Sequence, residues 1–249
     1  MNKDDLDYCL FGHRGAAREA PENTLGGFEH AWGNGVRAFE LDVHITRDDR
    51  LVVIHDRTLD RTTDGTGQVA EHTLEQLSSL NAAHRFPGWK QREEIPLLEK
   101  VLERYQKGIL RWQLEIKTRD PGRLELLCTL LAGLIERYDL SQRVTVTSFN
   151  TTALEIQRGV APHLRLGLIT EPVQIEHVEL ARSLGCADFC IPIESGGASI
   201  VSASHAAGLY VAGWVANTPE DINTLLDWGV DAMTSDVPSF ARQYLAERL

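Results

Sequence analysis

Short apolar runs rich in β-branched residues alternate along this chain with longer segments whose apolar positions recur every three to four residues. The strand-like runs are YCLFG (8–12), RAFELDV (37–43), LVVIHD (51–56), RWQLEI (111–116), RVTVTSF (143–149), LRLGLI (164–169), ADFCIP (187–192), YVAGWVA (210–216) and DAMTS (231–235). Helical periodicity falls between most of them, as in TLGGFEHAWGNG (24–35), GRLELLCTLLAGLIERYD (122–139), TALEIQRGV (152–160) and PEDINTLLDWG (219–229). Repeated strand-then-helix order predicts a parallel sheet covered by helices, either a closed (β/α)8 barrel or an open doubly wound sheet.

Nine strands are one too many for a closed barrel. Only RDD and its flanks separate LVVIHD from RAFELDVHIT, too little chain for the crossover that parallel neighbours need. These two segments are therefore expected to form an antiparallel hairpin turning near Asp48-Asp49, which leaves eight strands with helical crossovers. The predicted fold is α/β: one (β/α)8 TIM-barrel domain over 1–249, with an insertion at 44–96 after the second strand. That insertion should hold the hairpin, turns such as TTDGTG, the short helix TLEQLSSL and a polar loop at 83–95 shaping the pocket mouth. A two-residue turn at 48–49 would pair positions summing to 97 and set His55 opposite Asp42.

Composition is ordinary for a globular protein, 43% hydrophobic and 24% charged. A net charge of −11 argues against a general nucleic-acid binder, without excluding a local basic pocket for one phosphate. Four scattered cysteines without metal spacing suit a reducing compartment. MNKDDLDYCL has no apolar leader core and no 18-residue apolar run exists, so a soluble cytoplasmic protein with no membrane anchor is expected.

Barrels carry their chemistry at the C-terminal ends of the strands. Here those ends read His13-Arg14, then Glu40 and Asp42 two apart on one face, His55 from the hairpin, and Glu115 and Lys117 again two apart. Ser148-Phe149, Trp214 and Asp236 follow. Three uncompensated carboxylates converging inside a barrel would repel one another, which a hard divalent cation, Mg²⁺ or Ca²⁺, would relieve. Pairing with Arg14 and Lys117 is the alternative. Arg14 and Lys117 otherwise suit an anionic substrate, Arg14 with a possible structural tie to Glu22. His13 and His55 are the candidate general base and acid. Phe149 and Trp214 are candidate pocket walls or core, Asp236 a candidate cap or site residue. Asn23 or Thr24 should cap the first long helix. The glycines flanking His13-Arg14 should allow a tight turn and leave room for substrate.

The strings GHRGAAREAPENT, FELDVHITRDDRLVVIHDRTLDRTTDGTG, IPLLEKVL, LEIK, TSF, WVAN and TSDVP, in this order, resemble the glycerophosphodiester phosphodiesterase family over almost the whole chain. The resemblance implies a TIM barrel with an insertion, one divalent metal, and hydrolysis of glycerophosphodiesters (deacylated phospholipids) to sn-glycerol 3-phosphate and an alcohol. It implies His13 and His55 for acid/base catalysis, Glu40, Asp42 and Glu115 as metal ligands, and Arg14 and Lys117 on the phosphate. Val215 stands where the family usually has threonine after the tryptophan, a minor pocket difference. Two rival readings are a catalytically silent phosphate-binding barrel, which should have lost a histidine or carboxylate, and a membrane-acting phospholipase D-like or phosphoinositide-specific enzyme.

Overall fold

The computed structural model describes residues 6–248. It contains nine strands: β1 (Leu10–Gly12), β2 (Ala38–Ile45), β3 (Leu51–Val53), β4 (Arg111–Ile116), β5 (Val144–Ser148), β6 (Arg165–Ile169), β7 (Asp188–Pro192), β8 (Tyr210–Trp214) and β9 (Ala232–Ser235). All but β3 are parallel to their neighbours, and β1 pairs with both β2 and β9, so eight strands close into a barrel. Nine of the helices are α2 (Leu25–Gly33), α3 (Leu74–Ser78), α4 (Leu98–Tyr105), α5 (Pro121–Arg137), α6 (Thr151–Val160), α7 (Glu176–Ser183), α8 (Ala198–Ala206), α9 (Pro219–Trp228) and α10 (Pro238–Arg248). The predicted TIM barrel is the observed fold. One departure lies at its start, where Tyr8 and Cys9 belong to a short helix, α1 (Leu6–Cys9), and the strand begins only at Leu10.

Strand alternation divides the side chains between two cores. On β2, Phe39, Leu41, Val43 and Ile45 point outward into the large cluster beneath the helices, with Trp112, Leu114 and Ile116 of β4 beside them. Cys9, Phe11, Ala38, Cys190, Ala212 and Ala232 fill the barrel interior. At the base, Asp188 accepts hydrogen bonds from Arg111 Nη2 (3.1 Å) and Thr145 Oγ1 (3.0 Å) and also pairs with Arg165. The Arg111 guanidinium lies 4.4 Å from the Tyr210 ring centroid and 4.9 Å from that of Tyr8. The base is thereby plugged, and Gly167 stays small because a Cβ there would come within 3.0 Å of Thr147 Cγ2.

The hairpin differs from its predicted register by one residue. Val43 faces Val53 and Ile45 faces Leu51, so paired positions sum to 96 (43 + 53) and Asp42 lies opposite Ile54. The turn holds three residues instead of two. Thr46 and Arg50 close it through Thr46 N–H to Arg50 O (2.9 Å) and Arg50 N–H to Thr46 Oγ1 (3.0 Å), with Asp49 left-handed at φ 62°. This is the common three-residue hairpin loop with a left-handed last residue. Because β1 is so short, it covers only Ala38 and Phe39 of the β2 edge, and β3 pairs with 43–45 higher up. The chain that follows packs around a small core of its own, including Ile54, Leu59, Val69, Leu77 and Ile95.

Candidate active site

Glu40, Asp42 and Glu115 face the barrel interior because they share parity with Ala38 and Gln113 on β2 and β4, and register places Asp42 directly beside Glu115. One oxygen from each lies within 4.8 Å of the others, and all three residues are buried. Two cations answer them. Lys117 Nζ is 2.8 Å from Glu115 Oε1 and 3.4 Å from Asp42 Oδ1, and Arg14 Nε is 3.5 Å from Asp42 Oδ2. Asn23 Nδ2 donates to Asp42 Oδ2 at 2.7 Å, and the Arg14 backbone N–H donates to Glu40 at 3.1 Å.

This arrangement sorts the carboxylates. Burial pushes all three acids up; in Asp42 the positive charges of Lys117 and Arg14 and the Asn23 hydrogen bond outweigh it and hold the carboxyl well below its usual range. Burial, reinforced by Asp42, keeps Glu115 up at about 7, and burial likewise raises Glu40 well above its ordinary value. Lys117 and Arg14 are raised: burial lowers each, but the neighbouring carboxylates outweigh it. Ion pairing, the alternative to a metal, is thus present, yet three acids meet two cations. Asp42 Oδ1 is buried without a hydrogen-bond partner. A set of only oxygen donors, in which burial and mutual repulsion push two of three carboxyls toward the neutral form, fits a hard divalent cation that would relieve both.

His13 and Arg14 reach this cluster through the turn after β1. A Cβ on Gly12 would fall 2.1 Å from the Gly15 carbonyl oxygen, and Arg14, Gly15 and Asn23 all have positive φ (51°, 87° and 56°). The expected tight turn is present. Gly12 and Gly15 make room for the turn's own backbone and for Gly27 and Phe28, however, and not for a ligand. Thr24 caps α2, accepting from the Gly27 N–H at 3.0 Å, while Asn23 is drawn inward to Asp42.

Each histidine is held by a carboxylate at Nδ1. His13 Nδ1 is 2.5 Å from Asp236 Oδ1, and Asn217 Nδ2 donates to the other Asp236 oxygen at 2.7 Å. His55 Nδ1 is 2.6 Å from Asp56 Oδ1. Arg61 grips both Asp56 oxygens (2.6 and 3.2 Å) and both Glu22 oxygens (2.7 and 2.7 Å), and Glu22 in turn accepts from Arg14 at 3.0 Å. Burial lowers the His55 imidazole below its ordinary value. The predicted opposition of His55 to Asp42 fails with the register, but the chain leaves the strand after Val53 and turns the ring back into the pocket.

The nine predicted site residues therefore meet. Eight line one cavity of about 300 Å³: His13, Arg14, Glu40, His55, Glu115, Lys117, Phe149 and Trp214. The ninth, Asp42, is fully buried beneath it. Phe149 and Trp214 pack edge to face at 6.2 Å and form one wall. The loop at 83–95, expected at the mouth, does not line this cavity; Glu93 instead accepts from the Gly26 N–H and ties the loop to α2. Asp56 ends the predicted strand LVVIHD but lies beyond the observed β3, and Arg61 and Asn217 escape a periodicity reading because each lies outside a regular strand or helix. Only its place in the string HDRTLDR could single out Arg61.

A model of the glycerophosphoryl diester phosphodiesterase family matches residues 13–239. The chain is 34% identical over 238 residues to a glycerophosphodiester phosphodiesterase of Bacillus altitudinis, covering 93% of this chain and 96% of that protein. It is 35% identical over 237 residues to one of Caldanaerobacter subterraneus subsp. tengcongensis, covering 92% and 94%. Among solved structures, an Oleispira antarctica phosphodiesterase in complex with its product sn-glycerol-3-phosphate superposes with a TM-score of 0.86 at 27% identity, covering 95% of this chain and 96% of that one. Match length, fold and the nine converging residues agree: the chain belongs to the glycerophosphoryl diester phosphodiesterase family.

Proposed function

We propose that this protein hydrolyses glycerophosphodiesters to sn-glycerol 3-phosphate and an alcohol, using a divalent cation held by Glu40, Asp42 and Glu115 and acid/base catalysis by His13 and His55. The observation that carries the reading is the pair of histidines, each fixed at Nδ1 by a carboxylate, beside a cluster of three buried carboxylates whose oxygens lie within 4.8 Å of one another. The product bound by the Oleispira antarctica relative supports the substrate class.

When bound, the cation supplies Lewis acidity toward a phosphoryl oxygen. Arg14 and Lys117 face the same cavity and stabilise the charge that builds on the phosphoryl group. Asp236 and Asp56 fix ring orientation and stabilise each imidazolium as it forms. His13, on the inner cavity alone, takes the proton of the attacking hydroxyl, from water or from the glycerol 2-hydroxyl. His55 lines both the inner cavity and the wider one outside it, which suits the acid that protonates the departing alkoxide. Among the described residues no helix is long and apolar enough to cross a membrane. The four cysteines are buried, and we place the enzyme in the cytoplasm, acting on a small-molecule substrate. No histidine or carboxylate of the set is missing, against a silent barrel.

The test is release of sn-glycerol 3-phosphate from glycerophosphocholine and glycerophosphoethanolamine, before and after chelation and with Mg²⁺ or Ca²⁺ restored. Turnover should vanish on chelation and return with one of these ions. His13→Ala and His55→Ala should each lower kcat by roughly 10² or more. Undiminished turnover after exhaustive chelation would refute the metal assignment, and near-normal rates in either variant would refute that histidine's role.

A further inference from the structure

Outside the reaction centre, the C-terminal face opens into a larger cavity of about 680 Å³, bounded by the segments that follow β3, β4, β5 and β6. It shares His55, Lys117 and Phe149 with the inner cavity, but not His13 or Trp214. Two arginines line it: Arg57, which follows His55-Asp56, and Arg119, two residues past Lys117. Both are exposed, and among the described residues neither guanidinium has an ion pair or a hydrogen bond.

That sets them apart from Arg14, Arg61 and Lys117, which are all engaged by carboxylates. Of the acids lining this cavity, Asp56 is held by His55 and Arg61, and Glu115 by Lys117. Glu171 alone of the lining acids is left to face two uncommitted guanidinium groups. In a chain of net charge −11, two guanidinium groups that no carboxylate holds, set beside the reaction centre, run against the general trend of the molecule.

We infer that this cavity receives the leaving alcohol and selects one that carries an anionic group, a carboxylate or a phosphate, bound by Arg57 and Arg119. The inference rests on the hydrolytic reading above and extends it to the identity of the alcohol. In the step concerned, an oxygen adds to phosphorus with its proton passing to His13. The bond from phosphorus to the alcohol oxygen breaks, and that oxygen takes a proton from His55. His55 joins the two cavities, so the alcohol leaves past the group that protonates it into the space the arginines line. Planar guanidinium forks match carboxylate and phosphate alike. The Phe149 ring and Glu171 lie where the cavities meet and accommodate an ammonium on the same alcohol.

Glycerophosphoserine and glycerophosphoethanolamine differ by one carboxylate and make a direct test. The ratio of their kcat/KM values, serine over ethanolamine, is expected to be roughly fivefold or more in the unaltered protein, set by KM, and to shrink in high salt. It is expected to fall to about one in an Arg57→Gln/Arg119→Gln double variant. Both substrates are measured on each preparation, so partial loss of folded protein cancels in the ratio. A ratio of one in the unaltered protein, or one that the double variant leaves unchanged, overturns this inference while the hydrolytic reading stands. Hydrolysis of neither substrate, with metal present, overturns both.

Discussion

Arg61 offers the sharpest probe of how the site is held together. Replacing it with glutamine removes four hydrogen bonds, two to Glu22 and two to Asp56. Fully buried charge-assisted bonds contribute about 1.5–3 kcal/mol each, and exposed ion pairs under about 1 kcal/mol per pair. The Arg61 side chain is 47% exposed, so the value sits near the lower end, about 1 kcal/mol for each carboxylate gripped and about 2 kcal/mol of stability in all. The effect on rate travels by a different path. Asp56 keeps its 2.6 Å contact with His55 Nδ1 but loses the fork that fixes both its oxygens. A histidine acting as general acid contributes 10² or more to the rate, and part of that depends on its orientation. A loss of roughly tenfold in kcat, about 1.4 kcal/mol, is expected, with KM within about twofold. Arg61→Lys should rescue little, because an ammonium cannot fork two carboxylates. Steady-state release of sn-glycerol 3-phosphate alongside urea unfolding separates the two effects. If stability falls by the stated amount while kcat stays within twofold, Arg61 fastens the insertion to the barrel and does not orient His55.

Three further expectations follow from the same geometry. Burial holds Glu115 at about 7 and Glu40 above its ordinary value, so a cation must displace protons from them; affinity for Mg²⁺ or Ca²⁺ should drop at least roughly tenfold from pH 8 to pH 6. Calorimetry in buffers of different ionisation heat should count the released protons, and a pH-independent Kd would contradict the assignment. Asn23→Ala removes the 2.7 Å donor from buried Asp42 and should weaken cation binding roughly tenfold and stability by about 2 kcal/mol, measured by titration and by urea unfolding. Asp188→Asn leaves Arg111 without its carboxylate at the plugged base and should cost about 3 kcal/mol of stability, while kcat per folded molecule holds, since Asp188 lies at the end of the barrel away from the cavity.

What the sequence revealed follows the reach of its local rules. Period-two alternation was enough to put Glu40, Asp42 and Glu115 on inner faces, because a closed barrel leaves strand residues only two directions. The minimum length of a crossover was enough to make LVVIHD a hairpin strand. Register was not, since a three-residue turn and a two-residue turn differ by one left-handed residue, Asp49, that composition does not mark. Asn23 looked equally suited to capping, and only the folded turn shows that Thr24 caps while Asn23 bonds Asp42. Arg61 and Asn217 act on partners 39 and 19 positions away in the chain, where no periodicity operates. Asp236 stood undecided between cap and site, and its partner His13 is 223 positions away.

That last separation bears on when the protein becomes active. Asp236 is made 223 residues after His13, and β1 completes the barrel only by pairing with β9. A nascent chain that has emerged through β8 already holds the three carboxylates, both cations and both imidazoles, but His13 lacks the group that orients it and β1 lacks one neighbour. Closing the barrel and orienting His13 thus both wait on the segment that carries β9 and Asp236, so a chain clipped before residue 232 is expected to have neither.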